Sequence, residues 1–218
     1  MRDFFVYVPC PKGVCSAELF GDNRQFDVAI NDYTGSNMVP EQAEYKFSID
    51  KWKYPHIKED MKDIVSNYKA CAFIDDDIKV STEELNRLFT IGMDNKLNIW
   101  HPALTLNSHS SWQHLYQRPN SSIRPTNTVE IMAPFFSKAA LAICWDTLNV
   151  NYSAWGIEIV WFHLLKPNTK TMIIDAVPVT HTRPMRGHAK VMPNGKTPTE
   201  EEKLMLDHYG LTKPKLCY

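Results

Sequence analysis

Long apolar runs, long basic runs and a signal-peptide pattern are all missing from this sequence of 218 residues. No segment approaches the roughly 20 apolar residues that span a bilayer, and the N-terminus lacks the basic, apolar and small-residue order of a signal peptide. The formal net charge is −1, which argues against a nucleic-acid binder that neutralises phosphates. We therefore expect no membrane span, no nucleic-acid partner and a cytoplasmic location.

Paired metal-binding cysteines and a glycine-rich phosphate loop are missing as well. The five cysteines, an odd number, include no Cys-x-x-Cys pair. Free thiols in a reducing compartment are therefore expected, and a zinc site is not. The sequence also contains no G-x-x-x-x-G-K motif. A bound diphosphate would therefore depend on a metal ion and on basic side chains.

Strand-like and helix-like runs alternate along the chain, in an ordinary globular composition of 44% hydrophobic and 22% charged residues. Apolar runs predict strands at residues 4–8, 26–30, 70–74, 97–100, 129–132 and 171–176. Helical spacing and capping residues predict helices within 52–68, from Ser81 onward, at 137–144, within 155–165 and around 200–208. The pattern predicts one α/β domain over residues 1–218, with a central mainly parallel or mixed sheet flanked by helices.

The ends of the predicted strands are the places where ligand-binding residues are expected. In open α/β sheets, ligands bind beyond the carboxyl ends of the strands, so the loops after residues 8, 30, 74 and 176 are the candidates. The polar segment 105–128 is predicted to be a long loop, and loops of that length in compact domains are usually functional or mobile.

Three adjacent carboxylates, Asp75, Asp76 and Asp77, come directly after the predicted strand at 70–74. A divalent cation would relieve their mutual repulsion, and Mg²⁺ or Mn²⁺ prefers oxygen ligands that it can share with substrate phosphates. In an extended chain Asp75 and Asp77 point to one side and Asp76 to the other. The first and third are therefore candidate metal ligands. The alternative is an acidic turn that caps the next helix or stays solvated.

His181 follows the last predicted strand and is a second candidate metal ligand. Imidazole suits Mn²⁺ alongside carboxylates. The basic residues Arg183, Arg186 and Lys190 come close behind and are candidates for neutralising a diphosphate. The alternative is that His181 is a surface loop histidine.

Glu158 lies at the start of a predicted helix and is a candidate general base for an acceptor hydroxyl. The alternative is a carboxylate that only complements the helix dipole. Glu130, within a predicted strand, is expected to form a structural ion pair. Trp155, Trp112 and Trp100 are either core residues or stacking surfaces for sugar rings.

With these residues in view, the chain resembles glycosyltransferases of the GT-A type, in which an Asp-x-Asp motif follows a central strand. It also resembles the glycosyltransferase-like family called domain of unknown function 707, from about residue 51 to 181. The similar stretches are Asp75-Asp76-Asp77, His101-Pro102-Ala103-Leu104, residues 129–137, Trp155-Gly156-Ile157-Glu158, and Ile174-Asp175 leading to His181.

The resemblance implies Mn²⁺-dependent, or Mg²⁺-dependent, transfer of a glucose- or rhamnose-like hexose from a UDP-sugar. The implied acceptor is a glycan on a viral capsid glycoprotein, which would place the reaction in a host cytoplasm. Asp75, Asp77 and His181 would hold the metal. The nucleotide-sugar would contact Val8, Pro9, Asn31, Asp32, Tyr33, Lys51, Asp76 and Arg183.

Two functions of other classes fit the same residues. A non-catalytic nucleotide-sugar or glycan-binding module would keep the acidic triplet without turnover. A metal-dependent phosphohydrolase would use it with water as nucleophile, although such enzymes usually need more scattered metal ligands than this sequence offers. The sequence leaves open whether a transfer would invert or retain the anomeric configuration.

Overall fold

A computed structural model of the chain describes residues 1–110, 112–166, 170–184 and 191–213. These residues contain nine strands and six α-helices. The strands are β1 (Phe4–Pro9), β2 (Phe26–Asn31), β3 (Tyr45–Phe47), β4 (Ala70–Phe73), β5 (Ile78–Lys79), β6 (Ile99–Leu104), β7 (Ile123–Pro125), β8 (Phe135–Ser137) and β9 (Thr171–His181). The helices are α1 (Lys53–Asp60), α2 (Lys62–Val65), α3 (Thr82–Asp94), α4 (Lys138–Cys144), α5 (Ile157–Leu165) and α6 (Pro198–His208).

The strands form one mixed sheet in the order β3-β2-β1-β4-β8-β6-β9-β5, with β7 also paired to β9. The half from β3 to β4 is parallel. Strand β8 runs antiparallel between β4 and β6, whereas β6 and β9 are parallel. The predicted α/β fold with a central sheet is confirmed. Its parallel half brings the carboxyl ends of β1, β2 and β4 to one edge.

The central strands are buried on both faces, as their continuous apolar runs indicate. Successive residues of a strand point to opposite faces, so Val6 and Tyr7 of β1 belong to two different cores. Leu88 of α3 packs in the first core. Ile57 of α1 and Val160 of α5 pack in the second. Within the described ranges, no helix is both long and apolar enough to cross a bilayer.

Several predicted elements have different limits in the structure; the strand predicted at 97–100, for example, is β6 at Ile99–Leu104. Strand β9 does not end at residue 176 but continues to His181. It passes Pro178 because its register against β6 shifts between Pro102 and Leu104, and an irregularity of this kind tolerates a residue that cannot donate to the ladder. The helix predicted within 52–68 is divided at Met61, whose φ of −126° is not helical.

The strand predicted at 129–132 is wrong. These residues form an irregular, partly buried segment that ends in a turn, and the strand, β8, begins only at Phe135. The segment still satisfies the end of β4, because Phe73 N donates to Pro134 O at 3.1 Å and Asp75 N donates to Met132 O at 2.8 Å. The apolar run therefore indicates that these residues pack beside β4. It does not indicate a regular strand.

The segment predicted as a long loop, residues 105–128, contains a short 3₁₀-helix at Gln113–Leu115 and strand β7. A buried ion pair ties it to β9, since Arg124 Nε lies 2.9 Å from Asp175 Oδ2 and the two side chains are 8% and 0% exposed. Arg118 N donates to the other carboxylate oxygen at 2.9 Å. This network fixes the segment to the sheet.

Candidate functional site

The three aspartates occupy a turn between β4 and β5. Ile78 N donates to Asp75 O at 3.2 Å, so the chain reverses here and the predicted extended alternation of Asp75 and Asp77 is wrong. Strand β5 then pairs antiparallel with β9, with Ile78 opposite His181. This pairing, and not alternation along a strand, brings His181 beside the acidic turn. His181 ends a strand and is 6% exposed, so it is not a surface loop histidine.

His181 contacts the third aspartate through one ring nitrogen and the backbone through the other. Its Nε2 lies 3.3 Å from Asp77 Oδ2, and its Nδ1 lies 2.5 Å from the carbonyl oxygen of His109. A carbonyl only accepts, so Nδ1 carries a hydrogen. In the protonated ring Nε2 carries a second hydrogen and donates to Asp77, whereas the neutral ring has a lone pair at Nε2 that a metal ion can accept. Burial lowers the pKa of His181, but the hydrogen bond and charge of Asp77 outweigh it and raise the pKa above its ordinary value.

Arg183 covers the outer side of the same turn. Its Nε lies 3.0 Å from Asp77 Oδ2, and its guanidinium also pairs with Asp76. Burial would raise the pKa of Asp77, but His181 and Arg183 together lower it. The Arg183 side chain is 55% exposed, so its charge faces both the carboxylates and the solvent. Residues 186 and 190, the other predicted phosphate partners, lie outside the described residues.

Lys53 also contacts the acidic turn, although its local sequence gave no sign of this. Its Nζ lies 2.5 Å from Asp75 Oδ1 and 2.6 Å from Ile131 O, and the side chain is 11% exposed. Burial raises the pKa of Asp75 although Lys53 acts against it, and the charge of Asp77 adds to the increase. Lys51, predicted to contact the donor, instead pairs with carboxylates of α1 at 2.6 and 3.0 Å.

The donor atoms at this turn are of the kinds that a hard divalent cation accepts, carboxylate oxygens and one imidazole nitrogen. The backbone carbonyl that orients His181 is a typical outer partner of a metal-bound histidine. Lys53 and Arg183 balance the carboxylates in the structure. Among the described residues, no three His, Cys, Asp or Glu side chains already form a ligand set. The residues fit Mn²⁺ or Mg²⁺ by chemistry, provided that Asp77 exchanges its ion pairs for the metal.

Two further glutamates lie close to the acidic turn, the half-buried Glu130, on which the charge of Asp75 acts, and the buried Glu158, on which the charge of Glu130 acts. Burial raises the pKa of Glu130 to about 7 and the pKa of Glu158 to about 8, and their mutual charge adds to the second shift. One carboxylate oxygen of each has no hydrogen-bond partner in the part of the chain described. Among the described residues Glu130 forms no ion pair, so the predicted structural ion pair is not found there. Glu158 is 7% exposed, at the second position of α5.

The backbone before Glu158 has an unusual conformation. Gly156 has φ of +90° and Ala154 has φ of +61°, a region that a non-glycine residue rarely adopts. Glu201 of α6 holds this loop, because its carboxylate accepts from the backbone nitrogens of Tyr152 and Ser153 at 3.2 and 2.8 Å. The start of α5, and with it the Glu158 side chain, is thereby fixed.

The residues predicted to contact the nucleoside lie at the carboxyl ends of β1 and β2 and in the loop that follows β2, and not only in loops as predicted. Val8 is buried in β1, and Pro9 ends that strand. Asn31 uses both polar atoms of its side chain on the backbone of Ile49, at 3.0 Å each. These two hydrogen bonds join the carboxyl end of β2 to the backbone at Ile49.

Asp32 organises the loop that follows β2. Its carboxylate accepts from the hydroxyls of Ser36 and Thr34, both at 2.6 Å, and from the backbone nitrogen of Lys12 at 2.9 Å. The hydrogen bonds from these hydroxyls hold the pKa of Asp32 well below its ordinary value. Tyr33 is 37% exposed, and burial together with the charge of Asp76 raises its pKa. Tyr33 is thus accessible to solvent and near enough to Asp76 for its charge to act on the phenol.

The three tryptophans considered as sugar-stacking surfaces differ in burial. Trp100 is fully buried and stacks on Phe135, with ring centroids 5.6 Å apart. It is a core residue and does not present a face to a ligand. Trp112 and Trp155 are half-buried, so a stacking role stays open for these two.

Comparisons with known proteins bear on the fold. No protein-family model and no curated protein matches the sequence. The structure of S. aureus TarS 1–349 in complex with UDP-GlcNAc superposes with a TM-score of 0.52 and 11% identity, over 96% of this chain and 72% of that chain. A second structure of S. aureus TarS gives 0.51 and 12%, over 84% and 37%. The fold is of the GT-A type.

The likeness to TarS concerns only part of that protein. A further structure of S. aureus TarS 1–349 covers 82% of this chain but only 59% of its own, at 11% identity and a TM-score of 0.48. At these identities the comparison establishes the GT-A fold and leaves the activity to the site residues. The resemblance to domain of unknown function 707 stays an expectation, since no family model supports it.

Proposed function

We propose that this GT-A domain, residues 1–218, is a metal-dependent glycosyltransferase that uses a UDP-sugar donor. One observation carries the proposal. Three carboxylates, a histidine oriented through Nδ1 and a half-exposed arginine converge where β4 ends, in a fold shared with a protein solved in complex with UDP-GlcNAc. In such sheets this edge is where nucleotide ligands bind.

Asp75, Asp77 and His181 would hold Mn²⁺ or Mg²⁺ at the turn. A bound divalent cation would stabilise the negative charge that develops on the departing nucleoside diphosphate. Arg183 supports this role, because its guanidinium already lies at the turn and its exposed side can also bind phosphate oxygens. Lys53 keeps Asp75 in place through the 2.5 Å contact and compensates one negative charge of the cluster.

Glu158 would accept the proton from the acceptor hydroxyl in an inverting transfer. A general base works best with a pKa near the working pH, and burial brings the pKa of Glu158 to about 8. Its Oε2 atom, which has no hydrogen-bond partner within the described part of the chain, supports the same role. A hexose donor and a glycan acceptor, including one on a viral capsid glycoprotein, are the finer parts of the proposal and follow from the family resemblance alone.

Product analysis tests the reaction class. The full chain is incubated with UDP-glucose and other UDP-hexoses and Mn²⁺, with and without glycan acceptors, and the products are separated by mass. Acceptor-dependent release of UDP with a mass gain on the acceptor supports a transferase. Release of UDP or UMP that no acceptor accelerates indicates a hydrolase, and binding without consumption indicates a non-catalytic module. An EDTA-treated sample is the control for the metal.

A further inference from the structure

A cavity of about 270 Å³ lies between α2 and α4, at the margin of the second core. Its apolar lining is contributed by Val65 of α2, by Leu141 and Ala142 of α4, and by Trp145, which follows α4. Three of these side chains are otherwise core residues, since Val65, Leu141 and Trp145 are 4%, 4% and 8% exposed. Sites for drug-sized ligands have volumes of about 300–1,000 Å³, so this cavity fits a smaller molecule.

The cavity lies toward the end of β4 that is opposite to the acidic turn. Ser137, which precedes α4, pairs with Ala70, the first residue of β4, whereas the acidic turn follows the last residue of that strand. Lys138 N donates to Lys69 O at 2.9 Å, and this contact joins the start of α4 to the start of β4. The cavity is therefore separate from the proposed metal and nucleotide site.

Charged side chains complete the lining, and positive charge is in excess. Lys62 and Lys138 both line the cavity and are exposed, and neither forms an ion pair with another residue of the described ranges. Asp146 also lines it, but its carboxylate pairs with Lys58 Nζ at 2.5 Å. The same ammonium lies 5.4 Å from the centre of the Trp145 ring and so fixes one wall. Two ammonium groups without a carboxylate partner therefore adjoin an apolar floor.

We propose that this cavity binds an amphipathic monocarboxylate, a small molecule with one carboxylate and an aliphatic chain. The chain is buried against Val65, Leu141 and Trp145, and the carboxylate pairs with Lys62 and Lys138 at the opening. Burial of the chain alone would serve neutral, cationic and anionic amphiphiles equally. The two unpaired lysines select the anion, because they repel a cation and gain nothing from a neutral group. This site is independent of the proposed transferase activity.

Calorimetric titration of the full chain with hexanoate, octanoate and decanoate, each below its micelle concentration, tests the proposal. Burial of each CH₂ group raises affinity about fourfold, so octanoate should bind about 15-fold more tightly than hexanoate, with one molecule per chain. Octan-1-ol should bind more weakly than octanoate, and octylammonium should not bind. Affinity that does not depend on chain length, or equal affinity for octanoate and octan-1-ol, would overturn the proposal.

Variants assign the binding to this cavity. Ala142→Phe places a ring in the cavity from an exposed position of α4 and should abolish binding of octanoate. Ala139→Phe is the matched control, because Ala139 is an exposed alanine of the same helix that does not line the cavity. Lys62→Gln and Lys138→Gln should each weaken octanoate about two- to fivefold, the range of an exposed ion pair, and leave octan-1-ol unchanged. Lys203→Gln, at an exposed position of α6, should change neither.

The two kinds of variant keep the test decisive. If Ala142→Phe does not fold, judged by its melting curve, the two lysine variants at the opening still decide. The proposal is overturned if a folded Ala142→Phe variant binds octanoate as the original chain does, or if neither Lys62→Gln nor Lys138→Gln weakens it. It is also overturned if octanoate does not bind and the chain instead sediments with anionic phosphatidylglycerol vesicles through these lysines, since that result assigns them to a membrane surface.

Discussion

Replacing Glu158 with Gln should stabilise the protein at alkaline pH and leave its stability almost unchanged near pH 5. The residue is 7% exposed, one of its carboxylate oxygens has no partner among the described residues, and burial raises its pKa to about 8. Between the ordinary value of 4.5 and about 8, the folded protein holds a proton that the unfolded chain has released. The stability of the original protein therefore falls as the pH rises through this window.

The size of the effect follows from the shift. A change from 4.5 to about 8 corresponds to an upper limit of about 5 kcal/mol above pH 8. Water entry and rearrangement around an ionised buried carboxylate reduce such penalties. The nearby Glu130, whose pKa burial raises to about 7, ionises in the same window. We therefore expect the Gln variant to gain about 2–4 kcal/mol at pH 9, because its amide is never ionised.

Urea unfolding at pH 5, 7 and 9 measures the difference. Glu83→Gln is the matched control, because Glu83 takes the second position of α3 as Glu158 does in α5, but is exposed. Glu83→Gln should show no gain at pH 9. The reasoning depends on a Glu158 carboxyl that is buried and neutral in the folded protein. It is refuted if the stability difference between Glu158→Gln and the original chain is the same at all three pH values.

The remaining predictions concern turnover, packing and nucleotide choice. Glu158→Gln should lower turnover by about 10²–10⁴-fold with little change in donor affinity; near-normal turnover, or a product that keeps the donor's anomeric configuration, would contradict the base assignment. Asp175→Asn should cost about 3–5 kcal/mol in urea unfolding, because it leaves the buried Arg124 unpaired; a loss below about 1 kcal/mol, the range of an exposed pair, would show that the pair is not structural. In a thermal-shift series with Mn²⁺, UDP should stabilise the chain more than GDP, CDP or ADP, and equal or greater stabilisation by GDP would contradict a UDP donor.

Signals in the local sequence were sufficient to predict the contacts that join residues close together in the chain. Ser81 accepts from Glu84 N at 3.2 Å, and Glu84 Oε2 accepts from Ser81 N at 2.7 Å, so the predicted capping box is confirmed. Ser137 also caps a helix, because its side chain accepts from Ala140 N at the start of α4, although without a reciprocal contact. These contacts join residues three positions apart, and their geometry is therefore encoded in the spacing alone.

The site required contacts that spacing does not encode. Lys53 meets Asp75 across 22 positions of the chain, and nothing in its local sequence separates it from Lys51, which turns to α1 instead. His181 reaches Asp77 because β9 continues past Pro178 with a shifted register. The apolar run that suggested a strand around Glu130 reports burial, which a turn against β4 provides equally well. In each case a tertiary contact decided the outcome.

Metal-dependent binding of UDP at the acidic turn is the central claim, and calorimetry with the Asp77→Asn variant tests it most directly. Asp77 contacts both His181 and Arg183, and its exchange for Asn removes the charge of a proposed metal ligand while keeping the side-chain volume. Asp94→Asn, at the exposed end of α3, is the control, and the melting temperatures of both variants show whether the fold is retained. We predict that UDP binds the original chain and the control with Mn²⁺ but not with EDTA, and that Asp77→Asn loses most of the Mn²⁺-dependent affinity. Unchanged affinity in a folded Asp77→Asn variant would contradict the account.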